Sequence, residues 1–457
     1  MRLSLTVMVV ASLLFGCNGH FPKKDKGHAL ADPSTAIGDD ALLDTLQKQT
    51  FAYFWEGAEP VSGLARERIH MDGIYPTHDK NIITIGGSGF GLMAILVGVE
   101  RNFITRQQAV DRLEKAISFL DKADRFHGAW PHWLMPDGKT APFSKKDDGG
   151  DLVETAFLIQ GLLTVKEYFK DGNEKEKQLA EKIQTLWEGV EWDWYTQGGK
   201  NVLYWHWSPN FGWDMNFPVA GYNEALIMYI LGAASPTHPI SKEVYEQGWA
   251  RNGAIAMDTT FYGLETELDH YATNDSPVGP LFWAHYSYLG LNPKGLIDQY
   301  GDYWKLNTNH ALTHYRHAVE NPNGFKGYGK NCWGLTSSYS MKGYASHRPN
   351  KDIGIVSPTA ALSSMPYTPE KSMEFLRHLY KDHDSLIGPY GPYDAFSAEH
   401  KWYVPRYLAI DQGPIPVMVE NHRSGLFWRL FMQNPDVRKG LDKLGFRMVD
   451  VPDVSQK

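Results

Sequence analysis

The chain alternates between two kinds of helical segment, six times over. One kind carries charges at helical spacing: residues 39–57, 105–126, 174–190, 240–251, 299–320 and 369–383. A helix with one charged face lies on the outside of a fold. The other kind is apolar or small all round: 87–100, 151–169, 221–233, 278–290, 357–366 and 413–431. Such a segment has to be covered on every side. Its starts recur at intervals of roughly 55 to 80 residues, too long for a helix-pair solenoid unit. Six covered segments inside six amphipathic ones predict an all-α fold, an (α/α)6 toroid of six inner and six outer helices. The inner helices then run parallel, with their N-termini on one face beneath long loops rich in Trp, Gly and Pro. One loop, 191–217, predicts a small β-hairpin around Gly198-Gly199, from the alternation in NVLYWHW. A last helix near 434–446 closes the chain. Alternating β-rich runs are missing, so neither a Rossmann nor a TIM pattern fits.

The N-terminus is a different matter. Arg2 followed by apolar Leu3 to Phe15 has the form of an export signal and is too short to span a bilayer. It ends in Leu-Leu-Phe-Gly-Cys, which resembles a bacterial lipobox, and this makes Cys17 the expected lipidation site. Residues 1–17 are thus expected to be a lipoprotein signal, 18–38 a polar tether, and 39–457 one catalytic domain. The tether has no acidic run after Cys17, which favours the periplasmic side of the outer membrane over the cell surface. Only Cys332 remains in the body, which excludes a disulfide framework and a thiolate pair for metal. The 18 histidines show no metal-ligand spacing; His310, His314 and His317 share one face of a charged helix and are expected to be solvated. A net charge of −8 gives no footprint for nucleic acid. TIGGSGFG (84–91) lacks the dinucleotide spacing, and there is no G-x-S-x-G elbow. The expectation is a monomer with no cofactor and no metal, touching a membrane only through its N-terminal lipid.

Carboxylates gather where inner helices begin. In DDGGDLVETAFLIQGLL (147–163), Asp151 and Glu154 form a D-x-x-E box in front of an apolar run. Acids there stabilise a helix by about 0.3–1 kcal/mol each, and capping alone would account for these two. It does not account for Asp147 and Asp148 upstream. In GYNEALIMYIL (221–231), Asn223 is a fair cap and Glu224 falls in the first turn. Asp411 precedes Gly413-Pro414 at or just before the cap of the last inner helix. If the inner helices are parallel, Asp151, Glu154, Glu224 and Asp411 converge on one cleft. Several carboxylates without thiol, nucleotide or metal motifs suit glycoside hydrolysis, in which one acid stays protonated and another ionised.

The aromatic content bears on the same point. The chain has 15 Trp, 24 Tyr and 21 Phe, and many fall in Gly/Pro-rich loops such as 204–217 and 388–396. Rings on loops suit the apolar faces of sugars, although ordinary packing explains any single one. The candidate sugar-binding rings are Trp133, Trp205, Trp207, Trp283, Trp333 and Tyr390. Asp147 and Arg406 are the candidate polar contacts, with a surface ion pair as the alternative for Arg406.

Seven blocks then carry a resemblance: 86–113, 147–163, 221–231, CWGLTSS (332–338), SPTAALSSMPYTP (357–369), GPYGPYDAF (388–396) and AIDQGPIPVMVENHRSGLFW (409–428). From about residue 40 to 446 the chain resembles the bacterial glucoamylase-like family, glycoside hydrolase family 144, whose characterised members are β-1,2-glucanases. The resemblance implies an (α/α)6 fold and metal-free, anomer-inverting cleavage of β-1,2-glucan, often to sophorose-sized products. It implies that Glu224 is the general acid and that Asp151 and Glu154 bind sugar at the cleavage point. Asp411 is the candidate base, suggested by a related fungal family. Rival readings are an α-glucan exo-hydrolase, a non-catalytic glycan-capture lipoprotein and, last, a toroidal lyase. An acidic cleft would repel the uronates such a lyase needs.

Overall fold

The computed structural model describes residues 38–76, 79–270 and 278–450. Cys17, the signal segment and nearly all of the tether lie outside the described residues. The fold is mostly helical, with small antiparallel hairpins between the helices. Helices α1 (Asp39–Trp55), α3 (Arg106–Leu120), α5 (Glu174–Glu188), α7 (Tyr303–Glu320) and α9 (Pro369–Asp382) bury one face each. Helices α2 (Ile85–Glu100), α4 (Leu152–Phe169), α6 (Leu226–Ala234) and α8 (Pro358–Ser363) are buried nearly all round. Two further segments, α10 (Ala409–Gln412) and α11 (Pro414–Ser424), continue the buried set. Helices α12 (Leu426–Gln433) and α13 (Pro435–Leu444) finish the chain.

Local chemistry explains the ends. Thr105 with Gln108 and Asn173 with Glu176 make reciprocal capping boxes on α3 and α5. Gly425 and Gly445 take left-handed backbone after α11 and α13. The glycines of α2 serve contact rather than conformation. A Cβ on Gly89 would lie 2.2 Å from the Phe157 carbonyl oxygen, and one on Gly161 2.2 Å from the Gly89 carbonyl oxygen. Helices α2 and α4 therefore touch backbone to backbone. Gly89→Ala should cost about 3 kcal/mol in urea unfolding, because neither helix can withdraw.

Four sequence expectations are corrected. Segment 278–290 is not an α-helix but two 3-10 turns, Leu281–Ala284 and Tyr286–Tyr288. The Gln160 side chain takes over its backbone pairing, donating to the Tyr286 carbonyl at 2.9 Å and accepting from the Gly290 N–H at 2.8 Å. Segment 240–251 is a shorter helix than expected, of π type over Val244–Trp249 and followed by a 3-10 turn from Arg251, with Gly248 pressed on the backbone of Val202. The hairpin expected around Gly198-Gly199 is a left-handed turn; the 206–207 strand pairs instead with 150–151. His310, His314 and His317 are buried, not solvated. They form the inner stripe of α7. His310 and His314 each bond the Gly279 carbonyl through Nε2 at 2.9 Å, and His317 Nε2 meets Asp352 at 2.9 Å. Burial lowers His310 to about 4, so its ring is neutral.

The short ladders position the site. Residues 68–70 pair with 406–408 just before α10, and 83–84 pair with 133–134 just before α2. The 150–151 strand, paired with 206–207, leads into α4. Further backbone bonds join the same starts: Asp151 N–H to the Trp130 carbonyl, Leu152 N–H to the Trp205 carbonyl, and Ala409 N–H to the Glu67 carbonyl, each at 2.9 Å. The entrances of α2, α4 and α10 are thereby fastened to one another.

Candidate active site

A cavity of about 390 Å³ opens among these entrances. Its walls are aromatic: Trp133, Phe143, Phe157, Trp205, Phe282, Tyr286, Tyr339 and Tyr344. Its polar lining includes Glu67, Arg68, His132, Glu154 and Glu224.

Asp151 sits at the N-cap of α4, where Oδ1 accepts the Glu154 N–H at 2.9 Å. Its other oxygen accepts from His132 Nδ1 at 2.8 Å and Trp205 Nε1 at 3.0 Å. Burial alone would raise this carboxyl, but the His132 bond and the charges of His206 and His132 hold it below its ordinary value. Burial would likewise lower His132. The Glu154 and Asp151 carboxylates outweigh that and push it up to about 10. Asp151 is thus an ionised anchor carrying a cation.

Glu154 lies one turn further on, with Oε2 accepting the Gly86 N–H of α2 at 2.8 Å. Burial pushes it up to about 8, against the pull of His132 and with the push of Asp151. Glu224 lies two residues before α6, one step earlier than the sequence suggests. Asn223 Oδ1 accepts from Ala225, and Ser287 serves the Ile227 N–H that opens the helix. Burial pushes Glu224 up to about 7, against its own backbone N–H and with a small push from Asp151. Asp411 is buried inside α10 rather than at a cap, directly behind the lining residue Ile410. Burial and then Asp394 raise it well above the usual carboxylate range.

Two of these acids, Glu154 and Glu224, line the same cavity as Tyr286. The Tyr286 hydroxyl is raised well above its normal value by burial first, then by Asp411, Tyr344, Glu154 and Glu224. Glu154 and Glu224 share the cavity with this ring, and Asp411 lies close enough for its charge to act on it. This arrangement can keep one acid protonated beside another that takes up a proton.

The other candidates divide. Trp133 and Trp205 line the cavity as expected. Trp333 is fully buried and packs edge-on to Tyr315, so it is a core ring. Trp283 is buried against His270. Trp207 packs behind the wall on His127, Phe126 and Trp194. Tyr390 belongs to a separate cluster with Tyr53 and Tyr407. Arg406 pairs with Asp72 at 2.8 Å and lies over the Tyr339 ring, one layer out. Asp147 stands behind Asp151, 3.3 Å from His206 Nδ1. Asp148 accepts from Asn210 at 2.7 Å and from Ser208, which ties two loops together. Among the described residues, His132, Asp147 and Asp151 bring ligand atoms within 4.8 Å of one another, as a metal site would. The His132 ring already bound to Asp151 Oδ2 supplies positive charge there.

Sequence reasoning missed Glu67, Arg68, His132, Tyr286 and Asp394. His132 stands in AWPHW and Asp394 in GPYGPYDAF. A titratable group inside an aromatic loop was the available signal. A wider groove of about 530 Å³ runs past Glu191, Asp193, Trp194, Trp213 and His238. Its carboxylates are partly exposed and paired with His127 and His238, so it lacks the buried acids of the smaller cavity.

A family model described as "Putative glucoamylase" matches residues 216–435. The solved endo-β-1,2-glucanase from Chitinophaga pinensis, in complex with sophorotriose and glucose, is 59% identical. The alignment covers 90% of this chain and 99% of that one, with a TM-score of 0.88. The chain belongs to the glucoamylase-like family. A second solved member of the glucoamylase-like family, from Bacteroides caccae, is 57% identical over 90% of this chain and 100% of that one, with a TM-score of 0.88. An exo-β-1,2-glucooligosaccharide sophorohydrolase acting at the non-reducing end, from Parabacteroides distasonis, is 45% identical over 429 residues. That match takes in 89% of this chain, which spans 58% of the relative's length.

Proposed function

We propose that this chain hydrolyses β-1,2-glucan or β-1,2-glucooligosaccharides, on an (α/α)6 scaffold, by metal-free inverting acid–base chemistry. Glu154 and Glu224 lining one aromatic-walled cavity, with Asp411 buried next to the lining residue Ile410, carry the reading. Glu224, protonated near neutral pH, gives its proton to the leaving glycosidic oxygen. The Asp411 carboxyl receives a proton from the attacking water, directly or through a substrate hydroxyl. His132 and the ionised Asp151 fix the floor of the pocket, and Trp133 and Trp205 present faces and edges to neighbouring sugars. The two relatives named as β-1,2-glucan hydrolases support the linkage. One is named an endo- and the other an exo-enzyme.

The test is a panel of linear β-1,2-, β-1,3-, β-1,4- and α-1,4-glucans, with product sizing and anomer detection by proton NMR. The expected result is release from the β-1,2 polymer or its oligosaccharides alone, with the first product in the α configuration. Turnover of maltooligosaccharides would replace this reading with the α-glucan one. Binding without turnover would replace it with capture.

A further inference from the structure

We infer that Asp394, a residue that does not line the cavity, is the proton partner of Asp411, and that the two carboxyls act as one base. The inference rests on the hydrolytic reading above. Asp394 is buried, and one of its oxygens accepts the Tyr339 N–H at 2.7 Å. Its Oδ1 and the Asp411 Oδ2 are both buried with no N–H or O–H donor in reach. The two carboxyls stand close enough for each to act on the other as a side-chain hydrogen-bond partner. Two carboxylates bond only with a proton between them, and that proton fills both vacant acceptors.

The surroundings hold the pair at one proton. Glu67 also pushes Asp411 up, and Asp411 bears on Tyr286 and Tyr344, so a second negative charge on the pair is disfavoured. Arg68 and Arg406 act on Tyr339, over which Arg406 lies, and are paired with Asp79 and Asp72. Burial raises Asp394 to about 6, partly offset by its bonds from Asp411 and the Tyr339 N–H. The singly protonated pair is therefore a base matched to near-neutral pH, where an isolated aspartate, near 3.9, is too weak. During cleavage, an O–H of water, or of a substrate hydroxyl that relays from water, gives its proton to Asp411. Asp411 passes the shared proton to Asp394. The hydroxide equivalent bonds to the anomeric carbon as the glycosidic C–O bond breaks, and Glu224 protonates the departing oxygen. The pair gains one proton and Glu224 loses one. Asp394 is a positioning residue, because it acts only through Asp411.

The test is the pH profile of kcat/KM on β-1,2-glucooligosaccharide for wild type, Asp394→Asn, Asp394→Glu, Asp411→Asn and the double Asn variant. Wild type should show its acid limb near pH 6. In Asp394→Asn the limb should move down by a unit or more, and kcat should fall ~10–100-fold with KM nearly unchanged. Asp394→Glu should restore part of both. The double variant should lose no more than Asp411→Asn, as groups acting as a unit do. A wild-type acid limb near pH 4 overturns the inference, and needs no variant to fold. So does an unmoved limb in a folded Asp394→Asn, or losses that multiply in the double variant. If wild type cleaves no β-1,2-glucan, the failure lies in the hydrolytic reading, which the glucan panel identifies separately.

Discussion

Glu224→Gln should lower kcat on β-1,2-glucooligosaccharide by about 10²–10⁴-fold while leaving substrate binding within a few-fold. The carboxyl is buried among aromatic walls and raised to about 7. Its neutral amide keeps the shape and the desolvation but has no acidic proton to give. Two accompanying observations separate loss of the acid from a structural fault. The basic limb of the pH profile, expected near 7 because the acid must stay protonated, should disappear. An aryl glycoside whose leaving group needs no proton should recover much of its rate. A variant that keeps the basic limb, or loses the aryl substrate equally, would transfer the acid role to Glu154.

Glu154→Gln should make the protein more stable and less active, and the gain should depend on pH. The folded carboxyl is raised from 4.5 to about 8, so the fold favours its neutral form. Its contribution is fully present below the unfolded value. It is lost progressively as pH rises from about 4.5 through about 8, because the unfolded chain ionises first. The amide has no such term. Urea unfolding of the two proteins should agree at pH 5, and the variant should lead by a few kcal/mol at pH 7.5. His132 owes part of its raised value to Glu154, so the comparison is repeated in a His132→Gln background to separate the two. The amide oxygen can still accept the Gly86 N–H, so packing of α2 on α4 is preserved. An equal difference at both pH values would show that Glu154 carries no raised pKa.

Much of this was legible in the chain because burial leaves a mark on composition. Segments covered on all sides carry almost no charge, so the lone carboxylates at their entrances stood out. Asp151, Glu154 and Glu224 were found in that way. Legibility failed where a side chain replaced backbone pairing. VGPLFWAHYSYLG has the composition of a covered helix, yet Gln160, more than a hundred residues away, satisfies the groups that a helix would pair. It failed again where histidine was counted as polar, since α7 buries all three of its histidine rings. Aromatic loops gave the weakest guidance. Nothing in the residues beside Trp205 or Trp333 tells wall from core, and only the folded chain shows that one faces the cavity and the other the core.

The ladders around the mouth are mostly two to four residues long, while the acids ride on the ends of packed helices. Reactivity and selectivity therefore sit on separate hardware. On the hydrolytic reading, replacing the exposed ring Phe143, which lines the cavity, should alter which glycan lengths are admitted while leaving the buried acids in place. Chopping products short or long is then an adjustment at the lip, open to relatives that share one engine.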